Sequence, residues 1–211
     1  EENDLVVNEG DTYRISLFFL DFAEAAMNGV EFHDIIVSEL DTLAEETGEV
    51  AQFMVEEHGM GVYIYKAGGS SAVQTSSYVG NRKHLHCTAL GKAILAYLDE
   101  ERVREIIDRR GLPQQTTKTI TIRGELLDEL EEIRDQGYAL DDEEVLKGLK
   151  CVAAPVRNMD DEIIGSISVS APTSRMDEER FRGDLPEKVT HTANIIEIQI
   201  NAAQYSTVHD V

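Results

Sequence analysis

The sequence predicts an α+β fold in which an antiparallel sheet is flanked by helices on one side. Apolar, β-branched runs at Val50–Glu57 and Gly61–Lys66 are joined by a short turn, and a second such pair follows at Cys151–Val156 and Ile163–Val169. Such pairs are typical of β-hairpins. A further strand is predicted at Ser71–Tyr78. Helical patterns lie between the pairs without the regular strand–helix alternation of parallel sheets, which favours the α+β class.

Six segments have helical patterning. They are Ser16–Asn28, Phe32–Thr47, Thr88–Leu98, Asp99–Arg110, Gly124–Gly137 and Leu185–Gln204. The second segment is amphipathic and ends at Gly48, and the last carries Pro186, which suits a first helical turn. The first segment is apolar nearly all round, which a solitary surface helix would not be. It is therefore expected to be covered by a partner subunit.

Net charge is the outlying feature of the composition. The chain has 41 acidic and 19 basic residues, for a formal charge of −22. A surface of this sign repels phosphates at long range and opposes non-specific binding to DNA or anionic membranes. The acids are scattered along the chain, which is the pattern of a halophilic protein. In molar salt the Debye length falls to ~3 Å, so the repulsion between these charges is screened. The alternative is an ordinary acidic cytoplasmic protein.

Length and composition set the broad class. The 211 residues, 42% of them hydrophobic, suffice for one sizeable core. No apolar run approaches the ~20 residues of a membrane span, and no signal peptide is visible at the start. A cytoplasmic protein without a membrane partner is expected. Cys87 and Cys151 form no paired motif, so free thiols are predicted.

Enzymatic motifs are missing from the sequence. Cys151, His86 and Asp141 could formally supply a nucleophile, a base and an orienting acid, but their spacing does not place them together. No GxSxG elbow is found, and Gly91-Lys92 lacks the flanking residues of a phosphate loop. The sequence therefore predicts that the protein is not an enzyme and uses no cofactor.

A metal site is the next alternative. His84, His86, Cys87 and Cys151 are ligand types that zinc accepts. On an extended segment the two histidines point one way and Cys87 the other, so the three cannot converge without a bend. A buried Cys87 beside solvated histidines is the favoured interpretation, and no metal is predicted.

Three blocks of sequence together resemble a known family. They are HCTALGKAILAYL, GYALDDEE and the pair CVAAPV and GSISVSAP. In this order and separation they are similar to the effector-binding domain of the IclR family of bacterial and archaeal transcription regulators, over about residues 30 to 205. The resemblance implies a GAF-like fold, a small-molecule effector, operator DNA as partner and a homodimer or homotetramer. The alternative is a GAF-like module of a signalling protein that senses a small molecule or a metal.

The resemblance also implies a domain layout. Residues 1–14 have a hairpin pattern and would be the wing remnant of a winged helix-turn-helix domain, followed by a linker or dimerisation helix at 15–29. Residues 30–205 would be the effector-binding domain, and 206–211 a C-terminal tail. No recognition helix precedes the wing pattern, so operator DNA is expected to bind through the N-terminal domain of the full-length protein.

The same resemblance implies an effector site. Its positions in this chain are Ala89, Leu90, Asp141, Cys151, Ser168 and Ser170. A helix N-terminus favours an anion, and serine hydroxyls and a thiol can donate to its oxygens. Asp141, in a predicted carboxylate-rich loop, fits beside an anion only if it is protonated or accepts from a ligand hydroxyl. A metabolite such as a small carboxylate, sugar acid or aromatic acid is expected. The alternative for the serines is a bond to a neighbouring backbone carbonyl.

Overall fold

The computed structural model describes residues 5–30, 32–73 and 77–209. The chain divides into two compact units, Glu1–Asp34 and Ile35–Val211.

The first unit contains a hairpin and a helix. Strands β1 (Val6–Asn8) and β2 (Tyr13–Ile15) pair antiparallel, and helix α1 spans Phe19–Asn28. The helix begins later than its apolar pattern suggests, because the backbone of Ile15 pairs with that of Val6 in the hairpin. No residue of α1 is buried within the chain.

The second unit is built on a six-stranded sheet. The strands are β3 (Val50–Glu57), β4 (Met60–Gly68), β5 (Arg82–Lys83), β6 (Ala139–Asp142), β7 (Leu149–Arg157) and β8 (Ile163–Pro172). Their order is β5-β4-β3-β8-β7-β6, and every neighbouring pair is antiparallel. Both predicted hairpins, β3–β4 and β7–β8, are present. The predicted α+β class is confirmed.

Five helices complete this unit, and they cover both faces of the sheet rather than one. They are α2 (His33–Thr47), α3 (Ala89–Tyr97), α4 (Glu100–Arg110), α5 (Arg123–Gln136) and α6 (Leu185–His209). Helix α3 packs on β3, β6, β7 and β8, and α6 packs on β7 and β8. Successive strand residues point to opposite faces, and Val152 and Ala153 are both fully buried. The central strands therefore need cover on both sides, which the prediction of one-sided helices missed.

The core lies between the sheet and these helices. Side chains of α3, α4 and α5 form one apolar cluster with Met54, Tyr63 and Leu85. On α6, Val189, Ile196 and Ile200 are fully buried. Across the described ranges, none of the helices has both the length and the apolar character that a membrane crossing requires.

Three strand assignments differ from the sequence prediction. Ala139–Asp142 was expected to be a carboxylate-rich loop, but it forms β6 at the edge of the sheet, paired with β7. The two-residue strand β5 was not predicted. Of the strand expected at 71–78, residues 71–73 and 77–78 are not in strand conformation, and 74–76 lie outside the described residues.

Candidate functional site

A cavity of about 230 Å³ lies beside the N-terminal end of α3. The structure brings all six residues of the predicted site to its wall, namely Ala89, Leu90, Asp141, Cys151, Ser168 and Ser170. The wall also includes four residues that were not predicted from the sequence, Gln52, Tyr63, Lys83 and Leu146. Gln52 carried one usable signal, since it is the one amide in an otherwise apolar run, VAQFMV.

The first turn of α3 is set up by a threonine cap and a glycine. Thr88 Oγ1 accepts a hydrogen bond of 2.8 Å from the backbone N–H of Gly91, as an N-cap residue does. A Cβ atom on Gly91 would collide with the backbone of Leu85, so only glycine permits this close approach. The N–H groups of Ala89 and Leu90 have no acceptor within the helix, and both residues face the cavity. This turn thus offers donors and a partial positive charge.

Three serines alternate along β8 on the face that carries α3. Ser166 Oγ donates to the carbonyl of Leu90 at 2.9 Å and ties the strand to the helix. Ser170 Oγ lies 3.3 Å from Gln52 Oε1 and 3.1 Å from Cys151 Sγ.

Ser168 differs from its two neighbours. It is fully buried, lines the cavity, and its hydroxyl has no hydrogen-bond partner among the described residues. A bond to a neighbouring backbone carbonyl, the alternative considered for Ser168 and Ser170, is instead made by Ser166.

Asp141 and Cys151 face each other across β6 and β7. Burial raises the pKa of Asp141 to about 7. The backbone N–H of Glu144, which donates to Asp141 at 2.7 Å, lowers this pKa, whereas the charge of the Glu144 carboxylate raises it. Burial and the Asp141 charge raise the pKa of the Cys151 thiol well above its usual value. The thiol is therefore neutral and a poor nucleophile.

His86 takes no part in this pair. Its Nε2 atom lies 3.3 Å from the carbonyl of Pro113, and burial lowers the pKa of the imidazole to about 4. The ring centroids of His84 and His86 are 5.7 Å apart. In the part of the chain that the structure describes, no group of three or more His, Cys, Asp or Glu side chains could hold a metal ion.

A buried ion network fixes the loop that follows β6. Lys92 Nζ on α3 is 2.6 Å from Glu144 Oε1 and 2.7 Å from Glu129 Oε1 on α5. Burial opposes the charge of Lys92, but the two carboxylates raise its pKa above the usual value. Thr119 Oγ1 also donates to the Glu144 carbonyl at 2.6 Å. The network therefore sets the loop that brings Leu146 to the cavity wall.

The family of the chain follows from comparison with known proteins. A family model described as the C-terminal domain of the bacterial transcriptional regulator IclR matches residues 25–198. The chain therefore belongs to the IclR family of transcription regulators, with a C-terminal effector-binding domain. Because its relatives are transcription regulators, the prediction that it is not an enzyme is confirmed.

One curated relative covers nearly the whole chain. The probable HTH-type transcriptional regulator ArcR of Halobacterium salinarum is 32% identical over 203 residues, which are 94% of this chain and 77% of that protein. The chain spans less of several other curated regulators, between 50% and 68% of their length.

Solved structures have the same fold. The crystal structure of Thermotoga maritima IclR matches with a TM-score of 0.83 and 28% identity, over 94% of this chain and 81% of that one. The inducer-binding domain of PobR from Acinetobacter, a double mutant in complex with 3-hydroxybenzoic acid, matches with a TM-score of 0.71 and 26% identity. That match covers 78% of this chain and 96% of the PobR domain.

Proposed function

We propose that the cavity beside α3 is the effector site and that it binds a small anionic metabolite, such as a small carboxylate, a sugar acid or an aromatic acid. The observation that carries this proposal is the Ser168 hydroxyl, which is fully buried at the cavity wall without a partner among the described residues. An unsatisfied buried hydroxyl costs about 1–3 kcal/mol. A ligand oxygen that accepts from Ser168 would remove this cost.

The remaining wall supports an anion of modest size. Ala89 and Leu90 line the cavity at a helix N-terminus, where negative charge is stabilised. Lys83 belongs to the same wall and is a positively charged residue. A volume of about 230 Å³ is below that of pockets for drug-sized ligands. The PobR domain supports the same class of ligand, since its complex contains 3-hydroxybenzoic acid.

The first unit is proposed to serve DNA binding and assembly. The β1–β2 hairpin would be the wing of a winged helix-turn-helix domain, and occupancy of the cavity would control how the full-length regulator binds operator DNA. Helix α1 and the two residues before it expose a run of large apolar side chains, Leu17, Phe18, Phe19, Leu20 and Phe22. An exposed surface of this kind is typical of an association site. A second copy of the chain would cover it, in a homodimer or homotetramer.

Two serine variants on the same strand test the effector site. Thermal unfolding is followed with 3-hydroxybenzoate, pyruvate and gluconate as probes. A ligand at a hundred times its Kd stabilises the folded state by about 2.7 kcal/mol. Ser168→Ala should leave the free protein at least as stable as the wild type, because it removes a buried hydroxyl that has no partner among the described residues, and it should lose the stabilisation by ligand.

Ser166→Ala is the matched control, because its hydroxyl bonds the Leu90 carbonyl rather than facing the cavity. It should lose about 0.5–1.5 kcal/mol of stability and still respond to the ligand. A Ser168→Ala protein that responds as strongly as the wild type would contradict the proposal.

A further inference from the structure

Asp141 has an unusual setting for a carboxyl group at an anion site. It is 3% exposed and lines the cavity on β6. Its Oδ1 atom accepts the backbone N–H of Glu144 at 2.7 Å, which caps the following loop. Within the described ranges, no Lys, Arg or His nitrogen lies within ion-pair distance of Asp141. A carboxylate at this position would be buried beside the proposed anion without a cation of its own.

The groups that face Asp141 do not supply that cation. Tyr63 on β4, Cys87 in the single 3₁₀ turn Leu85–Cys87 before α3, and Cys151 on β7 are neutral, because burial raises the pKa of each phenol or thiol. Lys92 on α3 is shared between Glu144 and Glu129. One ammonium between two carboxylates leaves this network with a net negative charge, which does not favour a further anion.

The neighbouring charged groups are directed elsewhere. Asp142 and Glu143, next in the chain, pair with the half-exposed Lys118, and Asp142 also pairs with Lys150. Among the described residues that line the cavity, Lys83 on β5 is the one cation, and an anionic ligand would meet it. On β3 and β8, the polar wall residues are the uncharged Gln52, Ser168 and Ser170.

We propose that Asp141 couples effector binding to proton uptake: the anionic effector binds the form in which the Asp141 carboxyl carries a proton. This inference rests on the proposed function and adds a condition to it. The proton comes from solvent and resides on the carboxyl, which then donates a hydrogen bond to a ligand oxygen. Two ionised carboxylates in one buried cavity repel each other, and holding one proton between them relieves the repulsion.

The expected size of the coupling follows from the titration of Asp141. Its carboxyl is half protonated at about pH 7 in the free protein, with burial as the main cause of the raised pKa. Affinity for an anion should therefore fall roughly 30-fold between pH 6 and pH 8.5, and binding at pH 8 should take up close to one proton. His86 does not contribute in this range, because burial lowers the pKa of its ring to about 4, and burial also lowers the pKa of His84.

The test is titration calorimetry with 3-hydroxybenzoate, pyruvate and gluconate from pH 6 to pH 8.5, in two buffers of different ionisation enthalpy. Wild-type protein should show the fall in affinity and the proton uptake. Asp141→Asn keeps an acceptor for the Glu144 N–H and has no carboxyl to titrate, so its affinity should vary less than about twofold, without proton uptake. Asp142→Asn, the same change one residue along and outside the cavity wall, should behave as the wild type.

The outcomes separate the two proposals. If no probe binds the wild type at any pH, both the effector-site proposal and this inference fail. If a probe binds with an affinity that is flat or rises with pH, the effector site stands and the proton coupling is overturned. Proton uptake that persists in Asp141→Asn also overturns it, because another group must then be the acceptor.

Discussion

Replacing Lys92 by methionine tests the buried ion network that holds the cavity loop. The Lys92 side chain is 1% exposed, and its partners Glu144 and Glu129 are 8% and 29% exposed. Glu129 can regain water, but Glu144 cannot, and its Oε2 atom already lacks a partner among the described residues. Removing one member of a buried pair costs about 3–5 kcal/mol. Lys92→Met should lose stability on this scale at neutral pH.

The assay is urea unfolding of the variants in the same high-salt buffer. Burial already raises the pKa of Glu144, and loss of the Lys92 ammonium raises it further. The folded variant then binds a proton that the unfolded chain releases. The free energy of unfolding that Lys92→Met loses relative to the wild type should therefore shrink as the pH falls from about 7 to 5.

Two further variants serve as controls for this prediction. Adding Glu144→Gln removes the stranded charge and should restore part of the loss. Arg104→Met, which breaks an exposed pair with Glu100, should change stability by less than about 0.5 kcal/mol. A loss below about 1 kcal/mol in Lys92→Met would refute the reasoning.

Three other predictions follow from the same structure. Asp141→Asn should be more stable than the wild type at pH 8 by up to about 4 kcal/mol, and the gap in urea unfolding should close toward pH 4. A carboxyl with a raised pKa in the folded state costs the wild type stability as the pH rises from the unfolded pKa, about 4, to the folded pKa, about 7. A constant gap would contradict this. The melting temperature should climb as KCl rises from 0.1 to 2 M, because the charge of −22 repels itself in dilute salt, and a flat profile would remove the halophile argument. Phe22→Asp on the exposed face of α1 should give a monomer in light scattering while Ser168→Ala stays oligomeric; a Phe22→Asp oligomer would rule out α1 as the contact.

Much of the fold could be predicted because its signals are local. Strands β3, β7 and β8 follow from runs of β-branched residues and from turn residues. Helix α3 begins at Ala89, one residue after its predicted start at Thr88. Strand β6 escaped prediction because its sequence, ALDD, is rich in residues that isolated strands avoid. Pairing with β7 and burial of Ala139 override that preference.

The candidate site was only partly visible in the sequence. The shared face of Ser168 and Ser170 follows from strand alternation alone. Tyr63 and Lys83 reach the same cavity from β4 and β5, and nothing local to their sequence indicates this. Lys92 carries a misleading signal, because a lysine on a helix is usually solvated. Its burial depends on Glu129 and Glu144, which lie 37 and 52 residues away along the chain.

A crystal structure of the chain with the tightest-binding of the three probe carboxylates tests the central proposal most directly. The ligand carboxylate should lie at about 2.7–3.2 Å from a backbone N–H of Ala89 or Leu90, with a ligand oxygen at the same distance from Ser168 Oγ. A ligand bound outside this cavity, or a cavity without ligand at saturating concentration, would contradict the account.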